Sequence, residues 1–393
     1  MKSAPRVAFF ADSFHEVNGV ASTSRQLEAF ARRGDLPFLS VHTGQGTSFK
    51  TEGSVSTLEL ERGPASLAVD DGLKFDPFLW RYMRLVARTL RQFRPSLIHV
   101  TGPSDIGILG ASLAYHMDIP LVASWHTNLH EFAARRLKKL LSFMPATYRE
   151  LAASLTERHT LDGVALFYKI ARVLLAPNPD LIEMLRTHTA KPVFLMGRGV
   201  DTDLFTPAKR FRQDGAFTLG YVGRLRPEKN VRFLSKLERQ LPDGNHRFLI
   251  VGEGSEREWL QHNLRRAEFT GVLRDDDLAR AYANMDLFVF PSTTDTFGNV
   301  IQEALASGVC AVVMNEGGPK FLVQSGVTGH VAINDRDFIR GVTGIMSDAD
   351  KHRRMRIQAR AAACEATWER VFDNVYSAYA TCLSMPESLR KAG

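Results

Sequence analysis

At 393 residues the chain exceeds what one hydrophobic core usually supports, so two domains are expected. With 44% hydrophobic and 24% charged residues it has an ordinary globular composition, which excludes a disordered or low-complexity chain. The net charge of +7 is uneven: residues 1–200 hold 24 Lys and Arg against 18 Asp and Glu, and the remainder 26 against 25. No apolar stretch is long enough to cross a bilayer. The start, MKSAPRVAFFADSF, reads as a buried strand, because Asp12 interrupts its apolar run and no small-residue cleavage site follows. Three cysteines, Cys310, Cys364 and Cys382, widely spaced and without a CxxC pair, fit a reducing cytoplasm and argue against structural zinc.

In chain order, the first half offers strand-like runs at RVAFFA, PFLSVH, SLIHVT, PLVASW, VLLAP and PVFLMG, with helical segments at 20–33, 79–93 and 105–117. Residues 200–216, within a turn-rich stretch that begins at Gly197, have no sustained periodicity and are predicted as a linker after a first domain over 1–199. Alternation restarts with TLGYVG, RFLIVG, AEFTGV, DLFVFP, CAVVM and GHVAI in a second domain over 217–370. From Asp348 to about Thr381 the pattern is helical, with Trp368, Val371, Phe372, Val375 and Tyr379 at spacings of three and four. The fold class is α/β: two doubly wound halves with parallel sheets, leaving a cleft between them.

The segment PSTTDTFGNVIQEALASG, Pro291 to Gly308, is the most informative. A buried strand ends before it, and a helix is predicted from about Asn299 to Ala306. The free N–H groups of a helix start attract phosphate, and ligands of open α/β sheets sit where strands end. Thr296, Phe297, Gly298 and Asn299 are therefore a candidate diphosphate cradle, Glu303 lies one turn along for a ribose diol, and Asp295 sits where a sugar hydroxyl could bind. Taken alone, the segment suits equally a capped helix with two solvated acids. Arg224 and Lys229, in the loop GRLRPEKN after TLGYVG, supply cations at the same strand-end edge.

Other residues carry weaker signals. Gly19 follows Asn18 at a helix start and leaves room against the backbone, as any flexible helix entry would. His126 ends the strand-like run PLVASW, where a histidine is either structural or faces a ligand. Asp105 is a helix-cap candidate first and an acceptor contact second. VGEGSERE at 251–258 mimics a dinucleotide loop, but Arg257 stands at the third glycine position, so a loop near a nucleotide base is the better reading, with Val272 and Leu273 lining the same pocket. Arg135, Arg136, Lys138 and Lys139, within HEFAARRLKKLLSF, form a short basic amphipathic helix that suits either an anionic bilayer or an ordinary solvated surface. No nucleic-acid reader motif is present.

Asp295 and Glu303, with seven residues between them, resemble the Glu-x7-Glu motif of the retaining glycosyltransferases of family four. NGVAS, SWHTN at 124–128, RGVDTDLF at 198–205, GYVGRLRPEKN at 220–230 and VGEGSERE extend the resemblance in the family's order along nearly the whole chain. Asp295 departs from the family's more usual Glu. The resemblance implies the GT-B fold, with residues 371–393 crossing back as a helix onto the first domain. It implies a nucleotide-sugar donor, GDP- or UDP-linked, held in the second half by Val272, Thr296–Val300 and Glu303. Arg224 and Lys229 would grip the diphosphate with no metal and no further cofactor, Gly19 would face that diphosphate, and His126 would contact the donor sugar, with Asp295 beside the reaction. The acceptor, a lipid or membrane-linked glycan, would lie in the first half, in an enzyme of the cytoplasm or the inner membrane face. No acid–base pair stands out, as expected for α-retaining transfer by front-face departure. A sugar-nucleotide epimerase of the same fold and a nucleotide-sugar-binding protein without catalysis are the alternatives.

Overall fold

A computed structural model describes residues 4–16, 18–70, 73–126 and 160–386. The chain divides into two compact units, residues 1–197 with 371–393, and residues 198–370.

The first unit is built on an eight-stranded sheet in the order Val193–Leu195, Val173–Ala176, Leu121–Ser124, Leu97–Val100, Val7–Ala11, Phe38–Gly44, Val55–Glu61, Ser48–Glu52. All pairs are parallel except the last, a hairpin whose two-residue turn is Gly53 and Ser54. The central strands are fully buried, as near-continuous apolar runs require when helices cover both faces. The helix Gly19–Arg33 is capped by Asn18, whose side chain accepts from Ala21 N at 2.8 Å.

Three expectations are corrected here. The cap of the helix Asp105–His116 is Ser104, one residue before the predicted Asp105. Asp105 is buried, and its two oxygens accept from the Arg62 fork at 3.0 Å each, while Asp76 N donates at 2.9 Å, so it is committed to holding strand and loop together. Residues 200–216 are no free linker. Arg210 donates to the carbonyls of Ala283 and Met285 and to Asp286, and Asn284 Oδ1 accepts from the backbone of Phe211 and Arg212. The C-terminal pattern is two helices, Ala349–Cys364 and Trp368–Ser384, broken where Val200 N donates to Ala366 O at 3.0 Å. In the first unit, Phe372, Val375, Tyr379 and Cys382 of the last helix are fully buried, and Phe372 packs its ring 5.4 Å from that of Phe30.

The second unit has a six-stranded, all-parallel sheet in the order Ala267–Gly271, His246–Val251, Phe217–Val222, Leu287–Phe290, Cys310–Met314, Gly329–Ala332. Counted within the unit this is 3-2-1-4-5-6, the doubly wound order whose strand direction of travel reverses between Phe217–Val222 and Leu287–Phe290.

Candidate active site

In an open α/β sheet such a reversal is where ligands bind, at the C-terminal ends of the two central strands. The loop after Val222 carries Arg224 and Lys229, and the loop after Phe290 carries Asp295. The two loops meet: Lys229 Nζ lies 2.7 Å from Asp295 Oδ1, and Ser292 Oγ donates to Asp295 Oδ2 at 2.6 Å. One cation and one carboxylate thus offset each other, and Arg224, exposed on the same loop, leaves the group net positive. Its backbone is held by Tyr221, whose hydroxyl donates to Arg224 O at 3.1 Å. Burial pushes the Tyr221 phenol well above its ordinary range, and the nearby Asp295 adds to the shift, so it stays a donor at any physiological pH.

The helix Asn299–Ala306 starts beside this pair. Its entry residue, Gly298, has φ +100°, a conformation that side chains with a Cβ rarely adopt, and as a glycine it contributes no capping side chain to the first backbone N–H groups. Phe297 is buried, while Thr296, Asn299 and Val300 are half-buried.

Glu303 is half-buried one turn further, where Tyr282 donates its hydroxyl to Glu303 Oε2 at 2.8 Å. Burial pushes the Glu303 carboxyl up to about 6, against the lowering effect of the Tyr282 hydrogen bond. An acid whose folded value is raised is held in its ionised form at a cost to stability above about pH 6, and that cost disappears below the unfolded value, near 4.5. Glu303→Gln should accordingly be more stable than the parent by roughly 2 kcal/mol at pH 7, with the advantage shrinking to nothing as pH falls through 6 to 4.5. Urea melts of both proteins across that range check this; a pH-independent difference would show that the carboxylate is not penalised. A charge kept where it weakens the fold is characteristic of functional positions.

VGEGSERE has a structural explanation. Gly252 has φ +137°, and a Cβ there would lie 2.0 Å from Gly223 O, so the two loops are zipped backbone to backbone through Gly223 N to Val251 O and Leu225 N to Glu253 O. The motif thus supports the Arg224 loop. Val272 is exposed, at 57%, in the loop after the neighbouring strand.

Gly19, Asp105 and His126 belong to the first unit. His126 is buried just past the strand Leu121–Ser124 and closes a chain of hydrogen bonds: Tyr379 OH to His99 Nδ1 at 2.7 Å, His99 Nε2 to Ser124 Oγ at 3.0 Å, Ser124 Oγ to His126 Nε2 at 2.8 Å. Burial drives the His99 imidazole down to about 3, so it is neutral and carries one proton. Tyr379 is fully buried beside this neutral ring, so the chain of hydrogen bonds ties the His126 side chain to the last helix of the protein.

Sequence reasoning missed several residues. Asp12, just past Val7–Ala11, accepts from Ser104 Oγ at 2.5 Å across the equivalent reversal of the first sheet, and burial pushes its carboxyl up to about 6. It was visible only as the residue that ends an apolar run. Arg198 is buried with its guanidinium 5.8 Å from the centre of the Phe297 ring, beside the candidate cradle. Tyr282 and Ser292, which hold the two acids, had no local signal. Arg135, Arg136, Lys138 and Lys139 lie outside the described residues.

Comparison with known proteins places this geometry. Residues 18–204 match the model described as Glycosyltransferase Family 4, and residues 216–348 that described as Glycosyl transferases group 1. A GDP-mannose-dependent alpha-mannosyltransferase of Corynebacterium glutamicum is 31% identical over 96% of this chain and 87% of its own length. The chain belongs to glycosyltransferase family 4. It is a glycosyltransferase with two parallel-sheet, Rossmann-like halves, as the resemblance implied. An alpha-monoglucosyldiacylglycerol synthase of Streptococcus pneumoniae is 24% identical to this glycosyltransferase over 77% of the chain and 69% of its own length. Among solved structures, a sucrose-phosphate synthase of Thermosynechococcus elongatus superposes with a TM-score of 0.70 over 95% of this chain and 98% of its own, at 17% identity, a likeness of GT-B fold alone. Among the described residues no helix is long and apolar enough to cross a membrane.

Proposed function

We propose that this glycosyltransferase moves mannose from GDP-mannose to a hydroxyl of a lipid-linked acceptor, with retention of the α configuration and without a metal ion at the diphosphate. The observation that carries the reading is the meeting of Lys229 with Asp295 at the topological switch point, next to Arg224 and a helix start entered through Gly298. That combination matches a sugar diphosphate: fixed cations for the phosphates, backbone N–H groups for their oxygens, and a carboxylate for a sugar hydroxyl. The curated relative named for GDP-mannose favours the guanine nucleotide, and the relative named for diacylglycerol favours a lipid acceptor.

In this reading Arg224 and Lys229 neutralise the departing diphosphate, and Asp295, steadied by Ser292, positions both Lys229 and the sugar. Glu303, in its ionised form, accepts from the ribose hydroxyls. Val272 borders the base, and Thr296 to Val300 cradle the phosphates. The diphosphate leaves on the face that the acceptor hydroxyl approaches and takes up its proton, so no separate general base is required. In the first unit, His126 is the contact for a sugar oxygen, Gly19 opens the backbone at a helix start, and Asp12 is the available acceptor-side carboxylate. Asp105, tied to Arg62, has no part in it. The excess positive charge of residues 1–200, with Arg135, Arg136, Lys138 and Lys139, suits attachment to an anionic membrane surface on the cytoplasmic side.

The test is mannose transfer from GDP-mannose to bacterial lipid extract with EDTA present, followed by proton NMR of the product. An α-linked mannolipid is expected. A β-linked product would exclude retention, and transfer that appears only when magnesium is added would exclude the metal-free diphosphate site. The relatives named are transferases, so the epimerase alternative has no support here.

A further inference from the structure

Apart from the glycosyl-transfer machinery, the first unit carries a group of side chains with metal-ligand chemistry. A nitrogen of His15, a nitrogen of His42 and a carboxylate oxygen of Glu59 all lie within 4.8 Å of one another. We propose that His15, His42 and Glu59 form a binding site for a divalent transition-metal ion of the zinc type, which ties the loop after the first strand to the neighbouring strands.

The placement follows from the sheet. His42 and Glu59 are register partners on the adjacent parallel strands Phe38–Gly44 and Val55–Glu61, so their side chains emerge side by side near the C-terminal edge. His15 comes from the loop that leaves Val7–Ala11, the strand on the other flank of Phe38–Gly44, and leads to the helix at Gly19. Its Nε2 stands 2.8 Å from Glu59 Oε1. The His15 and His42 rings lie 5.1 Å apart, nearly perpendicular.

Three observations point to an ion. His42 is 2% exposed, and among the described residues its Nε2 is buried without a hydrogen-bond partner and its Nδ1 has only Thr43 O at 3.4 Å. Leaving a buried imidazole nitrogen unpaired costs free energy that a metal bond would recover. The ring is fixed by face-to-face stacking on Phe14 at 3.9 Å. Room for the Glu59 carboxylate exists because residue 44 is glycine: a Cβ there would lie 1.6 Å from Glu59 Oε1. Two imidazoles and one carboxylate form a borderline-soft set that zinc accepts and magnesium does not favour. Donor atoms around a tetrahedral zinc stand about 3.3 Å apart, given bonds of about 2.0 Å. His15, with a side chain 56% exposed, is free to swing inward and close that distance, and its exposed side leaves a fourth position for water or another oxygen ligand.

The experiment uses the full chain, stripped with EDTA and desalted, then titrated with zinc against a chromophoric chelator, with melting followed in parallel. One zinc per chain and a raised melting temperature are expected, with no comparable shift from magnesium. His15→Ala and Glu59→Gln, both at sites open enough to leave the fold intact, should each weaken zinc at least tenfold. His42→Ala should remove it, though its melt without metal must be read first because the ring is buried. Absence of zinc binding by the parent, or zinc binding of unchanged affinity in both His15→Ala and Glu59→Gln, overturns the proposal.

Discussion

Arg224→Ala is expected to lower kcat/KM for the nucleotide-sugar donor about a hundredfold, a loss on the order of 3 kcal/mol of transition-state stabilisation. The charge on the departing diphosphate grows as the glycosidic bond breaks, so a guanidinium placed against it stabilises the transition state more than the bound donor. The effect should therefore appear in kcat as well as in KM. Lys229→Ala should act through two routes, removing a phosphate cation and leaving Asp295 with Ser292 as its only remaining partner of the two observed. Arg224→Lys should recover part of the activity, since it keeps the charge but not the fork. Steady-state kinetics on the three variants decide this; an Arg224→Ala enzyme within a few fold of the parent would show that the cation lies away from the reaction.

Arg62→Met should destabilise the first unit by about 3–5 kcal/mol, the largest stability effect anticipated for a single side chain here. Removing the fork leaves Asp105, whose side chain is 1% exposed, as a buried carboxylate with only backbone donors. The neighbouring Asp76 would be disturbed as well, because it holds Arg81 at 2.7 Å and Gly63 N at 2.8 Å in the same loop. Adding Asp105→Asn to Arg62→Met should restore much of the loss by removing the stranded charge. Urea denaturation of the parent, single and double variants measures this. A single variant as stable as the parent would mean that Asp105 finds water or another cation.

The fold was legible in the sequence where periodicity is strong. Every apolar run named as a strand in either half is one, and the central strands, buried on both faces, read as continuous apolar stretches. The hairpin Ser48–Glu52 and Val55–Glu61 was not named, although Gly53 between two runs was a usable turn signal. The break at residues 365–367 was invisible, since the helical pattern of the C-terminal region continues through it and the interruption comes from a contact with distant Val200. In the candidate site, Arg224, Lys229, Asp295 and Glu303 were singled out because strand ends and a helix start frame them. Tyr282, Ser292, Asp12 and Arg198 were not, since their significance lies in partners far along the chain. Asp105 misled for the opposite reason: a polar residue at a helix start suggests a cap or a ligand, and only the fold reveals Arg62 beside it.

The most direct test of the account is the melting temperature of the purified enzyme with GDP and with UDP, each compared with nucleotide-free protein in the same EDTA buffer. A nucleotide at about 100 times its dissociation constant should stabilise the folded protein by roughly 2.7 kcal/mol, a readily measured upward shift. GDP is expected to raise the melt, and UDP to do so less or not at all. A shift with UDP alone would contradict the mannosyl donor, and no shift with either would contradict the nucleotide site built on Arg224, Lys229 and Glu303.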